Sequence, residues 1–226
     1  MKRFIGRTVE LARLQRAMRK KQASFIVVKG RRRIGKSRLI EEFSQQFDQS
    51  FIFRGIAPTT RTTQGSQLQE FSRQVSEVFH APQALYQDWG DAFHAVAERV
   101  QSGCTLLVFD EISWMGLCDP TFLSKLKDLW DVYLKQNDRL ILIICGSASS
   151  WIDRHLMSNT GFVGRVSFTL TLRELSLAEC RQFWPKHISI FEILKVLSVT
   201  GGVPKYLEEI DPKSSAEDNI RQLCFT

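Results

Sequence analysis

The sequence predicts an α/β domain with a mostly parallel sheet covered by helices on both faces. Three observations carry this. Short apolar runs of strand length recur at residues 25–28, 51–53, 105–109, 140–145 and 166–170. Segments with apolar residues every three or four positions separate them. The first run leads directly into a glycine-bearing loop and then a helical pattern, the order a phosphate-binding loop requires. Buried-type strands alternating with helices are best accommodated by a parallel sheet.

Each element has its own signal. Leu11, Leu14 and Met18 give a helix from residue 7 to about 20, with Thr8 a candidate cap. Residues 25–28 form a buried strand, and Leu39, Ile40, Phe43 and Phe47 mark the helix that begins near Lys36. After the strand at 51–53 and a polar loop at 57–65, Leu68, Phe71, Val75 and Phe79 give a helix that His80-Ala81-Pro82 should end. Leu85, Trp89, Phe93, Val96 and Val100 give the next helix. Asp119-Pro120 breaks the chain before an amphipathic helix carrying Phe122, Leu126, Leu129 and Trp130. Residues 150–157 read as a short helix. Beyond Leu175 the pattern is helical, with breaks at Pro185 and at Gly201-Gly202-Val203-Pro204. The expected organisation is a core at residues 1–175 and a partial helical lid, or helices packed on the sheet, at 176–226.

The chain has 226 residues, 43% apolar and 24% charged, as expected of a globular protein rather than a disordered one. No apolar run approaches the roughly 20 residues of a membrane helix. Lys2 and Arg3 are followed by Arg7, Arg13, Arg16 and Arg19 rather than an apolar signal segment, so a cytoplasmic location is expected. Five cysteines with no CxxC pair, and four dispersed histidines, argue against a zinc site. Cys104 and Cys145 read as small core residues. The net charge of +7 is uneven: residues 1–38 hold 14 Lys and Arg against one acidic residue. An anionic ligand near this segment is implied, and a nucleic acid could use the same surface.

The chemistry concentrates at two places. Gly30, Arg31, Arg32, Arg33, Ile34, Gly35, Lys36 and Ser37 satisfy GxxxxGK[ST] at every fixed position. Backbone N–H groups and the N-terminus of the following helix, which includes Arg38, would cradle phosphates. Lys36 would reach the β- and γ-phosphates, and Ser37 would offer its hydroxyl to Mg²⁺. Arg31, Arg32 and Arg33 could face solvent, another subunit or phosphate. The second place is Asp110-Glu111, which ends an apolar strand. Asp110 is suited to hold Mg²⁺, and Glu111 to orient or deprotonate the attacking water.

Weaker signals follow. Ser147, after the run at 140–145, could sense the γ-phosphate, the alternative being a helix cap by Ser149 or Ser150. Arg165 could stabilise phosphoryl charge from its own chain or a neighbour's, or form a salt bridge with Glu174.

The chain resembles the archaeal-type ATPase family, a branch of the AAA+/STAND-like P-loop NTPases. The resemblance rests on Phe4-Ile5-Gly6-Arg7 with Glu10-Leu11 and Leu14, the arginine-rich loop at 30–37, and the aromatic strand at 51–53. It continues through residues 107–111, Trp130-Asp131, Cys145-Gly146-Ser147 with Ser150, Gly164-Arg165, and Gly201 to Leu207. It implies a five-stranded sheet ordered 5-1-4-3-2, which would put Ser147 near the γ-phosphate. It also implies that Gly6 and Arg7 approach adenine or ribose, that Pro204 closes over the base, and that Arg165 is a finger or sensor arginine. Family members usually continue through a longer helical or winged-helix region, so a short or missing lid is expected here. The implied activity is Mg²⁺-dependent hydrolysis of ATP, with a conformational or self-association output. A poorly hydrolysing nucleotide switch that recruits protein partners and a DNA-associated module are the alternatives.

Overall fold

The computed structural model describes residues 4–225. Its elements run α1 (Thr8–Met18), β1 (Ser24–Lys29), α2 (Lys36–Ser44), β2 (Gln49–Arg54), α3 (Gln64–Phe79), α4 (Trp89–Ala97) and β3 (Thr105–Asp110). They continue with α5 (Ile112–Met115), α6 (Phe122–Asp128), β4 (Leu140–Gly146), α7 (Ser149–Trp151), β5 (Val166–Thr171), α8 (Leu177–Cys180), α9 (Ile190–Thr200), α10 (Pro204–Leu207) and α11 (Ala216–Phe225). π-helical turns at Leu129–Tyr133 and Ile152–Met157 prolong α6 and α7.

The five strands form one parallel sheet in the order β2-β3-β4-β1-β5, which is the expected 5-1-4-3-2 read from the other edge. Burial explains why the central strands are continuous apolar runs. β3 and β4 are buried at every position and β1 at all but its last, whereas β2 and β5 lie at the edges and are half open. The period-2 alternation then divides the core in two. Phe25, Val27, Leu107, Phe109, Leu142 and Ile144 pack with the apolar sides of α3, α4 and α6. Ile26, Val28, Leu106, Val108, Ile141 and Ile143 pack on the opposite face against Leu14 of α1 and Leu39, Ile40 and Phe43 of α2.

The C-terminal helices enclose a third apolar cluster of their own, including Trp184, Ile193, Val196, Leu207 and Ile210. These helices form a unit with its own buried centre. Among the described residues, no helix is long and apolar enough to cross a membrane.

Three local expectations need correction. Thr8 does not cap α1: Arg7 occupies that position with φ 60°, and no side chain closes the turn. Leu85 is outside α4 and fully exposed, because the Asp88 carboxylate accepts from the N–H groups of Gly90 and Asp91 and starts the helix at Trp89. Neither Ser149 nor Ser150 caps α7, which follows Ala148 without a side-chain cap.

Candidate functional site

The site forms at the carboxyl ends of β1, β3 and β4, in the crevice where open parallel sheets take ligands. β1 ends at Lys29 and the glycine loop follows. Gly30 must lack a side chain, since a Cβ there would stand 2.7 Å from the Leu172 carbonyl oxygen. Gly35 precedes α2 with φ 92°, a left-handed conformation that glycine adopts without steric cost. No side chain caps the first N–H groups of α2, which leaves them available to an anion. Lys36 is buried, and its Nζ donates to the carbonyl oxygens of Gly30 at 2.8 Å and Arg31 at 3.2 Å. The ammonium therefore lies across the loop it belongs to.

β3 brings the acidic pair to this loop. Asp110 Oδ2 lies 3.3 Å from Ser37 Oγ. The other carboxylate oxygen, Oδ1, accepts from the Glu111 N–H at 3.0 Å and from the Cys145 thiol at 2.9 Å. Burial pushes the Cys145 thiol well above its ordinary pKa, so it stays protonated and can donate. Glu111 has φ 53°, an uncommon conformation for a residue with a side chain. Its Oε2 accepts from both the N–H of Ser147 at 3.0 Å and the Ser147 hydroxyl at 3.1 Å. Adjacent strands β3 and β4 thus link the acidic pair to Ser147.

The three loop arginines each meet a protein group. Arg31 pairs with Glu174 at 3.3 Å, Arg32 stacks over Trp114, and Arg33 stacks over Tyr206. The Arg33 carbonyl also accepts from the Lys205 N–H at 3.4 Å. Arg33 and Tyr206 therefore tie the glycine loop to the C-terminal helical unit.

A cavity of about 490 Å³ opens over the loop. Lys36, Ser37, Arg38 and Glu111 line it at one part, and Phe4, Ile5, Phe183 and Pro204 supply its apolar wall. Arg7 also borders the cavity, but its guanidinium is engaged. Nη2 donates to the carbonyls of Ile34 and Arg173, Nη1 pairs with Glu10, and the Arg7 N–H donates to Glu179. Gly6 packs against Glu179 and Leu175 and does not line the cavity. The neighbouring Phe4 and Ile5 line it instead.

Arg165 is also not brought to the site. It precedes β5, whose first residue pairs with Phe25 at the start of β1, so it lies at the amino edge of the sheet. Strand rise puts it roughly 15 Å from the loop. There it grips Asp131 through Nε at 2.9 Å and Nη2 at 2.7 Å. Its partner is Asp131 rather than Glu174, and Glu174 serves Arg31 instead. Phe183, Trp114, Cys145 and Arg54 also stand at or beside the site, and no motif in the sequence marks them. Only Cys145, next to the Gly146-Ser147 signal, carried a positional hint.

A parallel 5-1-4-3-2 sheet with a glycine loop after its first strand and an acidic pair after its third defines a P-loop NTPase fold. The chain belongs to the family of ATPase domains found predominantly in Archaea, whose profile matches residues 4–210. It is 26% identical over 208 residues to an uncharacterized protein of Methanocaldococcus jannaschii, spanning 92% of this chain but only 44% of that relative. Its fold resembles the Walker-type ATPase of Pyrococcus abyssi, with TM-score 0.70, 14% identity, and coverage of 97% of this chain and 71% of the other. It also resembles the ORC2 protein of Aeropyrum pernix, solved in ADPNP–ADP complexes, with TM-score 0.61, 13% identity, and coverage of 99% and 69%.

Proposed function

We propose that this chain binds ATP with Mg²⁺ over the glycine loop and hydrolyses it to ADP and phosphate. The observation that carries the reading is the 3.3 Å approach of Ser37 Oγ to Asp110 Oδ2, beside Lys36 and Glu111. Two hard oxygen donors in contact fit Mg²⁺, which prefers oxygen ligands and retains several waters. The metal would neutralise charge on the β- and γ-phosphates.

The protein's own groups do the rest. The uncapped N–H groups of α2 hold phosphate oxygens, and Lys36 exchanges its loop carbonyls for the β- and γ-phosphates. Glu111 orients the attacking water and accepts its proton. Ser147 grips Glu111 Oε2, which leaves Oε1 for that water. Ser147 thus acts on the reaction through Glu111. Phe4, Ile5, Phe183 and Pro204 offer an apolar wall for the base. Because Phe183 and Pro204 come from the C-terminal helices, filling the site would draw that unit onto the core, and release of phosphate would loosen it.

The direct test is phosphate release from ATP with magnesium and with a chelator. Metal-dependent release supports the reading. Tight ATP binding with no release would instead favour a nucleotide switch.

A further inference from the structure

We propose that Arg54 contacts the terminal phosphate of a nucleoside triphosphate bound to the same chain, and so lets this site distinguish triphosphate from diphosphate. The inference rests on the ATP-binding reading above and adds a residue that no sequence motif marks.

Arg54 is the last residue of β2, directly opposite Asp110 in the sheet register. β2 is an edge strand, yet its end is fixed on both sides. The Arg54 N–H donates to Gln74 Oε1 at 2.7 Å, and the Arg54 carbonyl accepts from Gln74 Nε2 at 2.9 Å. The Gly55 N–H donates to the Asp110 carbonyl at 2.9 Å. Two residues on, Gln67 brackets the backbone of Ile56 in the same way. Gly55 lets the chain pass close under the acidic pair, for a Cβ there would lie 2.8 Å from the Glu111 carbonyl oxygen. The backbone of Arg54 is thus held against β3 by hydrogen bonds from two elements.

The side chain is different. It is 58% exposed, and its Nε stands 3.8 Å from Asp110 Oδ2, the oxygen that also meets Ser37. At that distance in partial solvent the pair is weak and the guanidinium can turn. Among the described residues, the other basic groups around the site are engaged: Arg7 and Lys36 by backbone carbonyls, Arg31 by Glu174, Arg32 by Trp114, Arg33 by Tyr206, Arg38 by Glu41, Lys205 by Glu209 and Lys29 by Asp153. Arg165 is at the far edge of the sheet, bound to Asp131.

The electrostatics give Arg54 a direction to move. A divalent cation shared by Ser37 and Asp110 would replace Arg54 as the partner of Oδ2 and repel it. Of the anions then left in the crevice, Glu111 is held by Ser147, and the terminal phosphate presents oxygens that a guanidinium fork matches geometrically. A diphosphate lacks that group. A residue that only balanced the charge of Asp110 would instead affect both nucleotides alike.

Calorimetric titration with a non-hydrolysable ATP analogue and with ADP, both with magnesium, separates these cases. In Arg54→Gln we expect triphosphate affinity to fall about tenfold or more, as for loss of a charge-assisted contact, with ADP affinity at the wild-type level. Retained ADP binding also reports that the variant is folded. An equal loss for both nucleotides, or no loss for either, would overturn the proposal and leave the ATP-binding reading standing. Wild-type protein that bound neither nucleotide would overturn both.

Discussion

The Cys145 thiol meets Asp110 Oδ1 at 2.9 Å, on the opposite carboxylate oxygen from the one that Ser37 approaches. The carboxylate is thereby divided: one oxygen is anchored to β4 and the backbone, and the other is turned toward the loop. Cys145→Ala should therefore cost about 1–3 kcal/mol in denaturant unfolding, from a lost buried hydrogen bond and a small cavity. The magnesium concentration for half-maximal ATP binding should rise about tenfold, the usual effect of removing a ligand's supporting partner. Cys145→Ser, which keeps a donor, should recover part of the magnesium response.

Glu111 is held by two donors of Ser147 and lies at the cavity. Glu111→Gln should retain ATP binding and lower phosphate release by about 100-fold or more, the range for loss of a general base. Single-turnover release with binding measured in parallel checks this.

Phe183 reaches the cavity from the C-terminal helices. Phe183→Ala should weaken ATP and ADP equally, by about tenfold, as expected for loss of an aromatic surface under a base. Tripolyphosphate binding, measured by competition, should not change.

Arg165 and Asp131 give a pH signature away from the site. The hydrogen-bonded Arg165 guanidinium holds the Asp131 carboxyl below its ordinary range, with Lys135 and Lys127 adding to the effect. A carboxyl depressed in the folded state stabilises the fold above its unfolded pKa, about 3.9, and that contribution is lost as pH falls through the folded value. Arg165→Ala should thus lower the thermal midpoint at neutral pH, with the deficit shrinking below about pH 4. ATP affinity at neutral pH should be unchanged.

Much of the architecture was legible because parallel strands buried on both faces leave an unmistakable apolar signature, as at Leu106, Leu107, Val108 and Phe109. The loop from Gly30 to Ser37 was equally legible, since its chemistry is local in sequence. Long-range pairings were not. Nothing in the chain marks Asp131 as the partner of Arg165, or Gln74 as the clamp on Arg54, because these meet only when sheet order and helix placement are fixed. Leu85 misled for a simpler reason: its spacing continued the period of α4, while the Asp88 cap set the true start.

The proposed ATP binding depends on Lys36, whose ammonium lies across the loop carbonyls in the position a polyphosphate would claim. Equilibrium binding of ATP in the presence of magnesium, compared between wild type and Lys36→Ala, tests it most directly. Saturable binding by the wild type that weakens about 100-fold in the variant is the predicted result, the upper range for loss of a charged hydrogen bond. Equal affinity of the two proteins for ATP would contradict it.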